Sequence, residues 1–327
     1  MIFPPNLIIT NFCNQNCPFC FAGLEMSKNE YKKEMSIKTF SLILNRMKRE
    51  GVDTVKLLGG EPTLHSKFIE ILELSLKKCK RVQLFTNGMY SIQIEKYLLH
   101  HSQRVGITFN VTTPGYILQK KIRNLVVKRI SQLAGKNKIT LSCTIDPFIN
   151  TTVLLSSIPD DILSKVQIIR LGLANPMQGE KNMYRFEDFP KIGGKIYEIT
   201  NALKRKNYKG ILSLNCGLTR CMFTELQYTY LMQNRVDLFG FGCFGKKSSM
   251  DISTENKAFH CFPLSETYRI DGEKNNLTKT SALLLLKRVE YQKKIQLIKC
   301  IACPFFGIEV GKCPGPCIAF RSNELSI

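Results

Sequence analysis

The chain has no tryptophan, few histidines and a shortage of acidic residues. Its 327 residues include four His, too scattered along the chain to form a His-based metal site. Only 26 acidic residues stand against 47 basic ones, which gives a formal net charge of +21. Such a charge would attract an acidic peptide, a nucleotide or nucleic acid. Because the lysines are scattered along the chain instead of forming blocks, we do not expect a specific nucleic-acid-binding face.

The sequence also lacks long apolar runs. None reaches the length of a membrane span, and no charged leader precedes a long apolar segment at the N-terminus. We therefore expect a cytoplasmic protein that has neither a secretory signal nor a membrane anchor. In such a protein the 13 cysteines indicate metal ligands more than a disulfide framework.

Three cysteines form a compact group just after the first apolar run. Cys13, Cys17 and Cys20 are separated by three and then two residues. Thiolates favour iron–sulfur clusters and zinc. Three thiolates on a [4Fe–4S] cluster leave one iron open to a small molecule. A structural zinc site would need a fourth ligand, and no further Cys or His follows before His65.

The first two thirds of the chain alternate between strand and helix patterns. Helices separate six predicted strands, at 6–10, 54–58, 81–85, 105–111, 138–145 and 165–171. This alternation predicts βαβ units around a parallel sheet, either a doubly wound sheet or a partial barrel. The cysteine group, Gly59-Gly60-Glu61-Pro62 and Thr86-Asn87-Gly88 each follow one of the first three strands. Because functional groups gather at the carboxyl ends of parallel strands, we expect these segments to form one site.

The cysteine spacing and the GGEP segment together resemble the radical S-adenosylmethionine (SAM) enzymes. The resemblance implies a partial (β/α)6 barrel of the TIM type and a [4Fe–4S] cluster on Cys13, Cys17 and Cys20 that binds SAM. In these enzymes one electron from the cluster cleaves SAM to methionine and a 5′-deoxyadenosyl radical, which abstracts a hydrogen atom from the substrate. The electron would come from a donor such as flavodoxin or ferredoxin.

The same resemblance assigns residues to the SAM site. The GGEP segment would hold the amino group of the methionine moiety, because its glycines let the backbone approach a ligand closely and Glu61 offers a carboxylate. Asn110 would contact the ribose and Arg170 a carboxylate of SAM or substrate, but both are equally well explained as structural residues. The predicted SAM contacts are Phe19, Gly59, Gly60, Glu61, Pro62, Thr86, Asn87, Asn110 and Arg170.

The last third of the chain carries eight more cysteines, enough for two four-thiolate clusters. They are Cys216, Cys221, Cys243, Cys261, Cys300, Cys303, Cys313 and Cys317. Zinc ribbons are the alternative, but the wider pattern resembles the SPASM extension of radical SAM enzymes, which carries auxiliary [4Fe–4S] clusters. We expect one or two such clusters. Cys221 or Cys216 would join Cys243, Cys261 and Cys317 at one, and the remaining three cysteines would form the other.

Three departures from the SPASM pattern affect these assignments. Asn256 replaces a glycine, which is reasonable because asparagine tolerates a left-handed turn. Nine residues separate Cys303 from Cys313, where the pattern has five, and no cysteine follows Cys317. Whether the second cluster is complete, open or absent is therefore left undecided by the sequence.

The predicted organisation is a radical SAM core at 1–207 and a small cysteine-rich α+β auxiliary-cluster domain at 208–327. Cys143, in the fifth predicted strand, is either a small core residue or a hydrogen-atom donor.

SPASM-type relatives act mostly on ribosomally made peptides, so we expect a peptide maturase that forms a crosslink, a thioether or an epimer. Only twelve residues precede Cys13, so we expect that a separate protein supplies peptide recognition or that the substrate is small. The alternatives are a radical dehydrogenase of a sugar or other small metabolite and a non-catalytic, metal-bearing protein that binds nucleic acid.

Overall fold

The structure is a computed structural model. It describes residues 4–20, 22–23, 26, 33–176, 182–215, 217–234, 236–237, 250–265, 267–273, 275–307 and 312–325. Two of the predicted metal ligands, Cys216 and Cys243, lie outside these residues, and their ligation stays a prediction.

Seven parallel strands follow one another in sequence order across the sheet. They are β1 (Asn6–Thr10), β2 (Thr54–Gly59), β3 (Arg81–Thr86), β4 (Val105–Asn110), β5 (Ile139–Ile145), β6 (Ile168–Leu173) and β7 (Ile211–Leu214). A doubly wound sheet reverses its strand order at a switch point, and these seven strands do not. Crossovers that all proceed in one direction curl the sheet into a partial TIM-like barrel, as predicted.

The predicted strand positions agree with the structure, with one shift at the sixth strand. That strand begins at Ile168 and not at 165, because the backbone N–H groups of Lys165 and Val166 still donate to Ile162 and Leu163 in the preceding turn. Each of the seven strands pairs in parallel with its neighbour in sequence.

Three short strands from late in the chain extend the same sheet beyond β1. They are β8 (Asp251–Ile252), β9 (Lys257–Phe259) and β10 (Ile270–Asp271). β8 pairs in parallel with β1, and the other two follow in antiparallel order. The segment predicted as the auxiliary domain thus adds strands at both sheet edges, since β7 also lies beyond residue 207. The boundary at 207 stays a prediction.

Twelve α-helices lie in the described part of the chain. They are α1 (Ile37–Arg49), α2 (Phe68–Lys78), α3 (Ile92–His100), α4 (Pro114–Leu118), α5 (Lys120–Leu133), α6 (Thr151–Ser156), α7 (Asp160–Leu163), α8 (Phe189–Arg205), α9 (Glu225–Gln233), α10 (Leu277–Lys294), α11 (Ile298–Ile301) and α12 (Ile318–Leu325). Within the ranges given above, no helix combines the length and the apolar character that crossing a membrane requires.

Side chains alternate between the two faces of the parallel strands. In β5, Ile139, Leu141, Cys143 and Ile145 are buried, whereas the residues between them are partly exposed. The buried residues pack against helices in one continuous apolar core. The opposite face, called the inner face below, carries mostly polar side chains. The carboxyl ends of the strands border this face.

Candidate cofactor site and auxiliary thiols

The three thiols of Cys13, Cys17 and Cys20 lie together in the loop that follows β1, called the cysteine loop below. Burial raises the pKa of all three thiols, that of Cys17 to about 12, and the neighbouring thiolates of Cys20 and Cys13 raise it further at Cys17. Each thiol is partly exposed. Thiols that resist ionisation on their own need a cationic centre to become ligands, and binding a metal then releases their protons.

The glycines of the GGEP segment make room for the protein's own backbone. A Cβ atom on Gly59 would lie 2.4 Å from the Thr10 carbonyl oxygen, and one on Gly60 would lie 2.4 Å from the Phe12 carbonyl oxygen. The Gly60 N–H donates to Thr10 at 2.9 Å and the Glu61 N–H to Phe12 at 2.7 Å. The glycines therefore let the start of the cysteine loop pack closely against this segment, and the contact of GGEP with SAM stays a prediction.

Glu61 holds the end of β3 in place from a fully buried position. Its Oε1 accepts hydrogen bonds from the Thr63 N–H (3.2 Å), the Thr63 hydroxyl (2.6 Å) and the Thr86 hydroxyl (2.8 Å), and its Oε2 accepts one from the Asn87 N–H (2.7 Å). Burial raises the pKa of Glu61, and these hydrogen bonds oppose the rise. Because a carboxylate has about four lone-pair sites, Oε2 has room for one more donor.

Two residues inside the cysteine loop tie it to the neighbouring strand ends, and the sequence analysis missed both. Asn87 Nδ2 donates to Asn14 Oδ1 at 2.7 Å, and Asn14 Nδ2 donates to the Met89 carbonyl at 3.1 Å. Gln15 Oε1 accepts from the Gly115 N–H at the start of α4 at 3.0 Å. The only sequence signal for these roles was the polar character of the residues between the cysteines. The loop is thus fixed to the ends of β2, β3 and β4.

The structure places Asn110 and Arg170 on the inner face of the sheet. Both pair in register with Ser142, and directly opposed residues share a face. Asn110 Oδ1 accepts from the Thr112 N–H (3.1 Å) and hydroxyl (2.9 Å), which caps the end of β4. Phe19 is partly exposed beside Cys20, and Pro62 is buried. The predicted contacts of these residues with SAM stay predictions.

Lys56 adds a second cation to the inner face. Burial lowers the pKa of Lys56, with Arg170 adding to the decrease and Asp251 opposing it. Burial also raises the pKa of Asp251 to about 7, while a hydrogen bond from Asn6 Nδ2 at 2.5 Å and the charge of Lys56 oppose the rise. The barrel interior therefore holds two cationic side chains near one carboxyl group.

Cys143 lies on the opposite face of the sheet from these groups. It borders a small apolar cavity between β5, β6 and helices α6 and α8, with Leu141, Leu154 and Ile199 among its neighbours. Burial raises the pKa of its thiol to about 12. This placement among apolar side chains is typical of a core residue, and the role of hydrogen-atom donor stays a prediction.

Two segments that carry auxiliary cysteines lie close together. The guanidinium of Arg220, the residue before Cys221, lies 5.1 Å from the centre of the Phe305 ring, two residues after Cys303. The assignment of Cys221 to either predicted cluster stays a prediction.

The other predicted cluster is only partly described. Cys261 packs against the apolar group of Leu264 and Ile318, and Ile318 is the residue after Cys317. Cys216 and Cys243 lie outside the described residues. Cys20 packs in one apolar group with Phe259 and Phe262, on either side of Cys261. Asn256 has φ 61°, which confirms the expected left-handed turn.

The thiol groups meet the donor requirements of an iron–sulfur cluster more closely than those of a single metal ion. Among the residues that the structure describes, no three Cys, His, Asp or Glu side chains are drawn together around a single ion position. An iron–sulfur cluster makes a different demand, because each thiolate binds a separate iron atom. The fit rests on donor chemistry: soft sulfur ligands, grouped at strand ends, that need a cation to ionise.

Residues 7–136, which include the cysteine loop, GGEP and TNG, match the family model of the Radical SAM superfamily. The sporulation killing factor maturation protein SkfB of Bacillus subtilis (strain 168) is 30% identical over 105 residues, 32% of this chain and 25% of that protein. The S-adenosylmethionine-dependent nucleotide dehydratase of Selenomonas ruminantium is 24% identical over 170 residues, 50% of this chain and 60% of that protein. The matches thus span less than two thirds of either relative.

Solved structures resemble the whole chain. SuiB of Streptococcus suis, solved with S-adenosylmethionine, has a TM-score of 0.68 at 17% identity, covering 97% of this chain and 74% of that one. SuiB has also been solved with its precursor peptide SuiA. The structure of anSMEcpe with bound AdoMet has a TM-score of 0.66 at 16% identity, covering 98% and 91%. At these identities the likeness shows a shared fold, and it confirms the predicted architecture. The chain carries a radical SAM domain at residues 7–136.

Proposed function

We propose that this radical SAM enzyme cleaves SAM reductively and abstracts a hydrogen atom from a ribosomally synthesised peptide. The observation that carries the proposal is the cysteine loop, whose three thiols are held at the carboxyl ends of β1 to β4 by hydrogen bonds from GGEP, TNG and α4. A peptide substrate is supported by the maturation protein SkfB and by the fold of SuiB, which was solved with a precursor peptide.

The residues of the chain would hold the cofactors and shape the site around them. A [4Fe–4S] cluster on Cys13, Cys17 and Cys20 would supply the electron that cleaves bound SAM, which is how such enzymes reach unactivated C–H bonds. Glu61 keeps the ends of β2 and β3 in a fixed relation, and its Oε2 can still accept a hydrogen bond from an amino group. The inner face of the sheet offers Arg170 and Lys56 to anionic groups of a ligand.

SAM cleavage tests the chemistry. The chain is reconstituted anaerobically with iron and sulfide, and 5′-deoxyadenosine is measured after SAM and dithionite are added. We expect about 8 to 12 irons per chain from two or three clusters, and loss of SAM cleavage in the Cys13/Cys17/Cys20→Ala variant. The matched control is Cys79→Ala, which removes a buried thiol at the end of α2 and should retain activity. Zinc as the bound metal, with no SAM cleavage, would contradict the proposal.

The peptide substrate needs a separate test. Short peptides encoded beside the gene are incubated with the enzyme, and their masses and the deuterium content of 5′-deoxyadenosine are measured with deuterated peptide. We expect transfer of deuterium from one peptide to 5′-deoxyadenosine and a change in the mass of that peptide. Flavodoxin or ferredoxin should replace dithionite, and a separate recognition protein should raise the rate if it delivers the peptide. SAM cleavage that no peptide accelerates would contradict a peptide substrate.

A small anionic metabolite is the second candidate. Lys56 and Arg170 place two cations on the inner face, and one relative is a nucleotide dehydratase by name. If the substrate is a small anion, nucleotides or sugar phosphates should accelerate SAM cleavage where peptides do not. The Lys56→Met and Arg170→Met variants should then raise KM for that metabolite.

A further inference from the structure

We infer that Cys221, Cys300, Cys303 and Cys313 form a complete four-thiolate site for one auxiliary iron–sulfur cluster, with the buried guanidinium of Arg321 as its charge partner. The inference concerns a metal centre apart from the SAM-binding loop, and it holds whichever substrate the enzyme uses. It decides a point that the cysteine spacing leaves open, namely whether this cluster has a fourth ligand.

Three of the thiols come from one tightly hydrogen-bonded segment. The Cys303 N–H donates to the Cys300 carbonyl at 3.0 Å, which closes a turn between these two cysteines. The Cys313 N–H donates to the Phe305 carbonyl at 2.8 Å, and the Gly307 N–H donates back to the Cys313 carbonyl at 3.1 Å. This bridge returns Cys313 to the turn despite the nine residues between Cys303 and Cys313.

The fourth thiol comes from the connection between β7 and α9. Cys221 lies in a short 3₁₀ turn at Arg220–Met222, and the Arg220 guanidinium lies 5.1 Å from the centre of the Phe305 ring. This cation–π contact holds the turn against the segment of Cys303. The turn therefore places Cys221 beside the segment that carries Cys303.

Arg321 supplies an observation that does not depend on the cysteines. Its side chain is 0% exposed, and within the described residues its Nε and Nη2 have no hydrogen-bond partner. Nη1 donates to the Ile295 carbonyl at 3.2 Å. A Cβ atom on Gly315 would lie 3.5 Å from Cys300 Sγ and 3.8 Å from Arg321 Cζ, so the thiol and the guanidinium border the same small space.

An unpaired buried charge is strongly unfavourable, so we expect an anion in the space that Arg321 and Cys300 border. Four thiolates around an iron–sulfur core carry net negative charge, and N–H groups near the sulfurs hydrogen-bond to them. The negative charge of the cluster would therefore pair with the guanidinium of Arg321, whose free N–H groups could donate to the cluster sulfurs. The four protein thiolates also leave no iron open, in contrast to the three of the cysteine loop, so a substrate would not bind iron at this centre.

Metal analysis of full-length variants tests the ligand set. In the Cys13/Cys17/Cys20→Ala chain, the remaining iron belongs to auxiliary sites, and Cys221→Ala is added to this background. We expect the loss of about four irons with matching sulfide, or a cluster whose electron paramagnetic resonance (EPR) spectrum is altered by the missing ligand. Cys221 is exposed, so the fold should survive, as circular dichroism will show, and Cys79→Ala should change neither iron nor spectrum. Unchanged iron and EPR spectrum in Cys221→Ala, or zinc without sulfide, would overturn the inference.

A redox titration tests Arg321 separately. Replacing Arg321 with glutamine should lower the reduction potential of one auxiliary cluster, because a nearby positive charge stabilises the more negative reduced form. Arg321→Lys keeps the charge and should stay closer to the parent potential. Identical potentials in a folded Arg321→Gln chain and its parent would refute the charge-partner role. SAM cleavage by the parent chain reports on the proposed function alone, so the two can fail independently.

Discussion

Replacing Gly60 with alanine should displace the cysteine loop from its seat on β2. The new Cβ would lie 2.4 Å from the Phe12 carbonyl oxygen and 2.9 Å from Cys13 Cβ. One neighbour is a backbone atom and the other is a Cβ attached directly to the backbone, so neither is the end of a flexible side chain that could move aside. The loop must shift by several tenths of an ångström, and Cys13 must shift with it.

The expected cost follows from the contacts that such a shift disturbs. The hydrogen bonds from the Gly60 N–H to Thr10 and from the Glu61 N–H to Phe12 would lengthen, at about 1 kcal/mol each. Overpacking typically adds about 1–3 kcal/mol. We therefore expect the free energy of unfolding to fall by about 3–5 kcal/mol, with weaker iron loading at the cysteine loop.

Denaturant unfolding and iron analysis measure the two effects, with Gly194→Ala as the matched control. A Cβ on Gly194 in α8 has no neighbour within 4 Å. Alanine is about 0.5–1 kcal/mol more favourable than glycine inside a helix, so this variant should be stabilised. The same chemical change is thus expected to have opposite signs at the two sites. Equal stability and iron loading in Gly60→Ala and the parent chain would refute the argument.

Three further predictions concern buried or constrained groups. Glu61→Gln should lower the free energy of unfolding by about 1–3 kcal/mol, because an amide nitrogen would face backbone or hydroxyl donors; equal denaturation midpoints would contradict this. Asn256→Gly should cost about 1 kcal/mol, because it removes the hydrogen bond that Asn256 Oδ1 accepts from Arg46 Nη2 at 3.0 Å. Asn256→Val loses the same bond and should cost about 1–3 kcal/mol more in the left-handed turn, and equal effects in thermal unfolding would show that the turn is not constrained. Asp251 has its pKa raised from 3.8 to about 7, so the folded chain keeps a proton that the unfolded chain releases. Its contribution to stability is therefore present below pH 3.8 and is lost as the pH rises towards 7. The free energy of unfolding of the parent chain should fall over this pH range more than that of Asp251→Asn, and the same pH dependence in both chains would contradict the prediction.

Local patterns predicted much of the fold and the type of site. Strand and helix periodicity placed the parallel strands because side-chain alternation is a property of the chain itself. The cysteine spacing, GGEP and TNG indicated a cofactor site at the strand ends, because each of these segments directly follows its strand along the chain. Asn256 was also predictable, because its left-handed conformation follows from steric preferences of a single residue.

The sequence alone determined which chemical groups this chain brings to its strand ends: three grouped thiols, two glycines and a carboxylate. Only the tertiary structure decided their partners, since hydrogen bonds such as the one from Asn87 to Asn14 join residues 73 positions apart. The same is true of Cys221, the proposed fourth ligand of an auxiliary cluster, because the contact between Arg220 and Phe305 brings the β7–α9 connection to the segment of Cys303. Spacing specifies ligands that are close along the chain. A ligand or a charge partner that arrives from a distant segment, as Cys221 and Arg321 do, is specified by the packing of the whole fold.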